Sequence, residues 1–202
     1  METELPFEVR KTGFVALIQQ LDRQSRSGEN VTLGDAIEQA GVRVHGAAIL
    51  LMALPECLPL PIPSMGAVLG VPLMIVSAHM ALYGERGNLP ASAQSIALPQ
   101  QMIEMTSRYM IKPLRYIERI SRPRVSRLAS HERFIGIVCV LMSFLLLLPI
   151  PLMNAFPAIA LVCLSWGLVQ GDGLLVGVGI VISAAVMLSL LAIADRLVSL
   201  LG

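Results

Sequence analysis

Two copies of the tetrapeptide Leu-Pro-Ile-Pro, at residues 60–63 and 148–151, each interrupt a long apolar run. Every proline lacks an amide donor and clashes with the carbonyl four residues back, so it breaks a helix. In hydrocarbon the freed carbonyls find no water, and such a break persists only where protein or a cavity covers it. The chain is therefore expected to be a membrane protein built on broken helices. Composition agrees: 55% of the 202 residues are hydrophobic and 14% charged, where an ordinary soluble domain carries about 25% charged residues. Glu56 is the one formal charge between Arg43 and Glu85, and residues 134–171 and 173–194 carry none. Each of these stretches is long enough to cross a hydrocarbon core.

The two tetrapeptides lie 88 residues apart, and at that offset residues 60–85 and 148–173 match without a gap. Eight of the 26 positions are identical: Leu60, Pro61, Ile62, Pro63, Met65, Ala67, Leu73 and Ser77. The proline pair does not arise from leucine richness, so an internal repeat is expected. The arm before each break, residues 44–58 or 134–148, holds 15 charge-poor residues, a rise of ~22 Å that falls short of a ~30 Å core. The arm after it, 64–83 or 152–171, holds 20 residues and can span. The expected fold is an all-α integral membrane protein with two helical-hairpin repeats, each broken at Leu-Pro-Ile-Pro and re-entrant where the short leg does not cross. A C-terminal transmembrane helix and amphipathic interfacial helices complete it. The divisions are 1–43, an amphipathic N-terminal region; 44–84, the first hairpin; 85–133, a basic connection; 134–172, the second hairpin; and 173–202, the last span.

Before the first hairpin, Phe14, Leu17, Ile18 and Leu21 fall on one helical stripe, expected to lie on the membrane. Thr32 with Asp35 three residues on resembles a helix start, and Leu33, Ala36, Ile37 and Ala40 form its apolar side. Glu2, Glu4 and Glu8 do not fit a secretory leader, so the first apolar segment is expected to direct insertion. The connection carries nine Lys or Arg against four acidic residues, which assigns it to the cytoplasm and favours parallel repeats. An odd number of crossings between the breaks would invert them. Arg108, Lys112, Arg115, Arg119 and Arg122 form one stripe opposite Ile103, Met110, Leu114 and Ile117. Such a helix belongs at anionic headgroups, with Pro113 kinking it and Pro123 ending it. The plainer alternative is a basic loop that only sets topology.

Glu56, between Pro55 and Pro59, is the leading polar candidate, because an ionisable group inside a membrane segment can take a proton or cation. Capping of broken backbone is its plain alternative. His45 and His79, near the ends of the two legs, can relay protons or pair with Glu56; ordinary interfacial histidines are the alternative. Ser64 and Asn154 can accept bonds from free donors at the start of the following helices, or contact an ion or substrate at the breaks together with Glu56, His45 and His79. Pro55, Pro59, Pro61, Pro63, Pro149, Pro151 and Pro157 are read as helix breaks. Phe144 replaces Glu56 in the second repeat, so one site is expected and not two. Cys57, Cys139 and Cys163 lack metal or redox spacing and read as buried thiols, and Gly177 and Gly179 as close-packing positions. No nucleotide, hydrolase or metalloprotease signature occurs, so no enzymatic activity, cofactor or metal is expected. A net charge of +1 speaks against nucleic acid.

The run from Thr32 to Ile37, then Leu54-Pro55-Glu56 with residues 60–63, and later 148–151 with Asn154 and Pro157, resembles the ExoD-type exopolysaccharide-synthesis family. The resemblance covers the chain from about Leu33 onward. It implies a bacterial inner-membrane protein associated with exopolysaccharide production, without a defined catalytic activity. Two functions fit: a small transporter with its site at the broken helices, or a structural or regulatory membrane subunit. The expected partners are the bilayer, its anionic headgroups and a second copy of the chain.

Overall fold

A computed structural model describes residues 13–38, 43–57, 65–86, 88–122, 124, 126–148 and 154–201. The helices are α1 (Phe14–Arg26), α2 (Leu33–Glu38), α3 (Val44–Ala53), α4 (Met65–Tyr83), α5 (Ala91–Gln94), α6 (Gln100–Met105), α7 (Ile111–Ile120), α8 (Ser126–Ala129), α9 (Glu132–Leu147), α10 (Ala155–Gln170) and α11 (Gly173–Leu201). Tight 3-10 turns follow α3 at Pro55–Cys57 and α4 at Gly84–Arg86. Among the described residues there is no strand, only an isolated antiparallel bridge between Thr32 and Ala97. The expected all-helical class holds. The two Leu-Pro-Ile-Pro turns, with Pro59 and Ser64, lie outside the described residues, and so do Pro123, Ala40 and the N-terminal glutamates.

The apolar bundle consists of α3, α4, α9, α10 and α11. α4 packs most extensively on α9, α10 on α11, and α3 on α10. Glycine brings the backbones together: a Cβ at Gly136 of α9 would come within 2.5 Å of the Ala81 nitrogen, and one at Gly179 of α11 within 2.7 Å of Leu164. Gly177 has looser surroundings, with Leu128 of α8 at 3.6 Å, so only Gly179 is a tight crossing. The first residues of α3 and α9 lie beside the last turns of α10 and α4, so adjacent legs run antiparallel.

α3 differs from its neighbours. Its residues from His45 to Ala53 are all buried, so it is wrapped on every side. It ends at Ala53, well before Leu58, because Pro55 cannot continue the hydrogen-bond ladder. Ten residues rise ~15 Å, half a hydrocarbon core. α9, by contrast, exposes Phe134, Ile137, Leu141, Phe144 and Leu148, spaced 3, 4, 3 and 4 along one face. Pro157 is not a break: it is the third residue of α10, in the first turn, where its amide has no helical partner to lose. Gly171, at φ 69°, closes α10, and the Asp172 amide reaches back to the Gly167 carbonyl at 2.8 Å before α11 begins.

Over the end of the bundle that holds the start of α3 lies a second layer. α1 packs on α6, the π-helical turn Thr106–Met110 and α7, and Phe14 meets Trp166 of α10 edge to face at 5.9 Å. Phe14, Leu17, Ile18 and Leu21 of α1 are buried, as are Met102, Ile103 and Leu114 opposite them. Both apolar stripes expected to face lipid are thus turned into protein. The π turn sits just before Pro113, where the missing amide leaves the ladder short, and α7 runs on to Ile120.

Candidate functional site

The acidic and histidine side chains of the bundle lie toward its two ends, whereas Ser77 of α4 and Ser143 of α9 meet inside it at 3.4 Å. At the end under the second layer, Glu85 supplies what α3 lacks. No acidic residue occupies the first turn of α3, and its N-cap Arg43 makes no side-chain cap bond. The Glu85 carboxylate accepts the His45 amide at 3.0 Å and the Gly46 amide at 2.7 Å. A carboxylate there satisfies two orphan donors and meets the positive end of the helix dipole. The Glu85 amide in turn donates to Glu132 at the start of α9, at 2.9 Å.

Around this carboxylate the two expected histidines meet. His45 Nε2 lies 2.8 Å from His79 Nδ1. His45 Nδ1 lies 3.4 Å from Glu85 Oε2, within ion-pair range, yet without a hydrogen-bond partner. The His45 side chain is 0% exposed and that of Glu85 5%. Tyr83 covers the outer face of His79, ring centroids 4.7 Å apart. Arg43 donates to the Leu168 carbonyl of α10, and Asp172 accepts from Ser121 and from the Arg122 amide, which pins α7 to the α10–α11 turn.

Glu56 is elsewhere. It lies on the 3-10 turn beyond α3, eleven residues and roughly 16 Å along the axis from His45. His45 therefore faces Glu85, His79 meets His45, and neither histidine pairs with Glu56. The turn packs on α10, and Glu56 is half-buried with one carboxylate oxygen, Oε1, inside the protein and unpartnered among the described residues. Asn154 stands at the head of α10 in helical backbone conformation, and its side chain makes no cap bond. Capping there falls to its carbonyl, which accepts the Ala158 amide at 3.1 Å. Arg108, Lys112, Arg115, Arg119 and Arg122 are all exposed on the second layer. Among the described residues no three His, Cys, Asp or Glu side chains converge as a metal site.

Glu85, Glu132 and Asp172 were not singled out by sequence. The signal for Glu85 was available in part: an acidic residue directly follows a long apolar segment, while the N-terminus of the short helix before it carries no acid of its own. Nothing in the sequence tied the two together across 39 residues of chain.

The fold and these clusters define an all-helical protein, with one described helix, over Gly173–Leu200, long and apolar enough to cross a membrane. The chain belongs to the ExoD family: the family described as "Exopolysaccharide synthesis, ExoD" matches residues 14–192. It is similar to the Protein ExoD of Rhizobium meliloti, 29% identical over 174 residues that cover 83% of this chain and 69% of that one. It is also similar to an uncharacterized protein of Synechocystis, 26% identical over 162 residues that cover 79% of this chain and 76% of that one. No solved structure matches.

Proposed function

We propose that this ExoD-family chain serves exopolysaccharide synthesis as a small transporter-like protein of the bacterial inner membrane, with its exchange site at the broken end of the bundle. The observation that carries this reading is Glu56: an ionisable side chain at a helix break, half-buried, with one oxygen inside the protein and no partner among the described residues. Such a group costs stability unless a proton or cation visits it, and transporters place exchange sites at interrupted helices. The apolar stripe of α9 and the long α11 support several crossings, since those faces would otherwise meet water. The 88-residue offset pairs α3 with α9 and α4 with α10, and α4–α9 and α3–α10 are extensive contacts. Two like-oriented hairpins exchanging legs fit this pattern. The excess of Lys and Arg in the layer supports a cytoplasmic side for it by the positive-inside rule.

The accessory-subunit reading draws on a different observation, the five exposed cations of the second layer, which suit an anionic lipid surface or an acidic partner. Reconstitution separates the two. Vesicles holding the purified chain and a pH-sensitive dye should relax an imposed proton gradient faster than protein-free vesicles. Relaxation at the protein-free rate, under proton and alkali-cation gradients alike, would leave the accessory role.

A further inference from the structure

We propose that Glu85, His45 and His79 form a buried proton-binding chain in which the His45–Glu85 pair holds one exchangeable proton and His79 delivers it. The rings of His45 and His79 are 9° from parallel with centroids 5.0 Å apart. Since their nearest nitrogens are 2.8 Å apart, the rings meet edge to edge and the shared hydrogen lies in both ring planes. Only one of the two nitrogens carries that hydrogen. If His45 Nε2 carries it in a neutral ring, the Nδ1 lone pair faces the Glu85 carboxylate inside the protein, which is repulsive. If His79 Nδ1 carries it, His45 is free to hold a hydrogen on Nδ1, toward Glu85.

The second arrangement accepts a proton without moving a heavy atom. Solvent adds one proton to His79 Nε2, and the His79 Nδ1 hydrogen passes to His45 Nε2. His79 is then neutral again, and His45 is an imidazolium facing Glu85. The net change is one proton gained by the pair, and the reverse sequence returns it.

The surroundings favour this exchange. His79 is partly exposed while His45 and Glu85 are enclosed, so His79 is the entry. The ionisable groups that face the chain are Tyr83 on α4, Glu132 on α9 through the Glu85 amide, and Cys139 of α9 within electrostatic reach of Glu85. Arg43, at the head of α3, is engaged with the Leu168 carbonyl of α10. Asp35 and Glu38 of α2 point to solvent. Glu85 and Glu132 thus bring two acids to this end, which suits one resident cation on His45. Because Glu85 also holds the first amides of α3, proton occupancy bears on how that helix is seated.

The chain has three histidines, His45, His79 and His131, so nitrogen-15 histidine labelling of the full protein in lipid nanodiscs resolves each ring. Across a pH series, His45 and His79 should report one shared proton uptake, visible at both rings over the same pH interval. Glu85→Gln should move that shared step to lower pH, because the imidazolium on His45 loses its facing carboxylate. His79→Phe should leave His45 as a single step with slowed solvent exchange of its ring hydrogens. Independent single-step titration of His45 and His79 in the unmodified protein would overturn the proposal, whether or not either variant folds. A shared step at unchanged pH in Glu85→Gln would overturn it too. This readout needs no flux, so it stands or falls apart from the transport reading.

Discussion

Glu85, where the N-termini of α3 and α9 gather, closes two backbone amides and faces a histidine, whereas Glu56, beyond the other end of α3, keeps a buried oxygen without a partner. The same short helix thus has one end built for stability and one left with unused polar capacity. A buried acceptor without a donor costs on the order of 1–3 kcal/mol. Sites that break the rule of satisfied polar groups are where function is expected. The contrast assigns different consequences to substitutions at the two ends.

The largest effect should come from glycine contacts that back the contrast. At the paired end, a Cβ on Gly136 would strike the Ala81 nitrogen and Cα at 2.5 and 2.7 Å, which is backbone and cannot yield. Nearer the broken end, a Cβ on Gly70 would meet the Leu147 side chain at 2.7 Å, which can rotate away. Gly136→Ala should therefore cost more than the ~1–3 kcal/mol of ordinary overpacking, and Gly70→Ala less than Gly136→Ala. Thermal unfolding in detergent measures both; equal losses would mean that α4 and α9 approach uniformly along their length.

Glu85→Ala comes next. It leaves the His45 and Gly46 amides without their acceptor, a loss on the order of 1–3 kcal/mol for each buried unsatisfied donor. Glu56→Ala should cost nothing comparable, because no bond to Glu56 is lost. Similar destabilisation by the two would erase the distinction between the ends.

A smaller effect is expected on the outer layer. Replacing Arg108, Lys112, Arg115, Arg119 and Arg122 with Gln should weaken retention on anionic vesicles by about 1 kcal/mol per residue at low salt, without lowering the melting temperature, since all five are exposed. Unchanged retention would leave these residues a topological role alone.

The smallest effect lies at α2. Thr32 and Asp35 bond reciprocally, Thr32 N–H to Asp35 Oδ2 at 2.9 Å and Asp35 N–H to Thr32 Oγ1 at 3.2 Å. Thr32→Ala should cost about 1 kcal/mol, as for other N-caps. The Thr32 hydroxyl and amide hold the Asp35 carboxyl below its ordinary range. The sign follows: this contribution is full above the unfolded value near pH ~4 and disappears as pH falls through the lower folded value. The stability gap between Thr32→Ala and the unmodified protein should accordingly narrow in strong acid, down to the share carried by the Asp35 N–H to Thr32 Oγ1 bond.

How much of this was legible in sequence depended on whether the signal was local. The apolar stripe of α1 and the Thr32–Asp35 cap were readable, because each is set by residues within a few positions of one another, whereas the first arm was expected to reach Leu58 and α3 stops at Ala53. What the stripes pack against was not. The faces of α1 and α7 were each correctly drawn, but a stripe does not say whether lipid or another helix covers it, and here they cover each other. Asn154 was misread because its type suits a cap while its helical backbone conformation does not. Glu85 was missed for the same reason that its role matters: it serves a helix end that begins 41 residues earlier, and only the folding back of α4 brings them together.

The unpartnered carboxylate is the centre of the account, and vesicle flux with Glu56→Gln tests it most directly. The amide keeps the shape of the side chain and removes its charge and its exchangeable acid. The account predicts unchanged insertion and thermal unfolding, with gradient-driven flux reduced to that of protein-free vesicles. Flux equal to that of the unmodified protein, at equal reconstituted amounts, would contradict it.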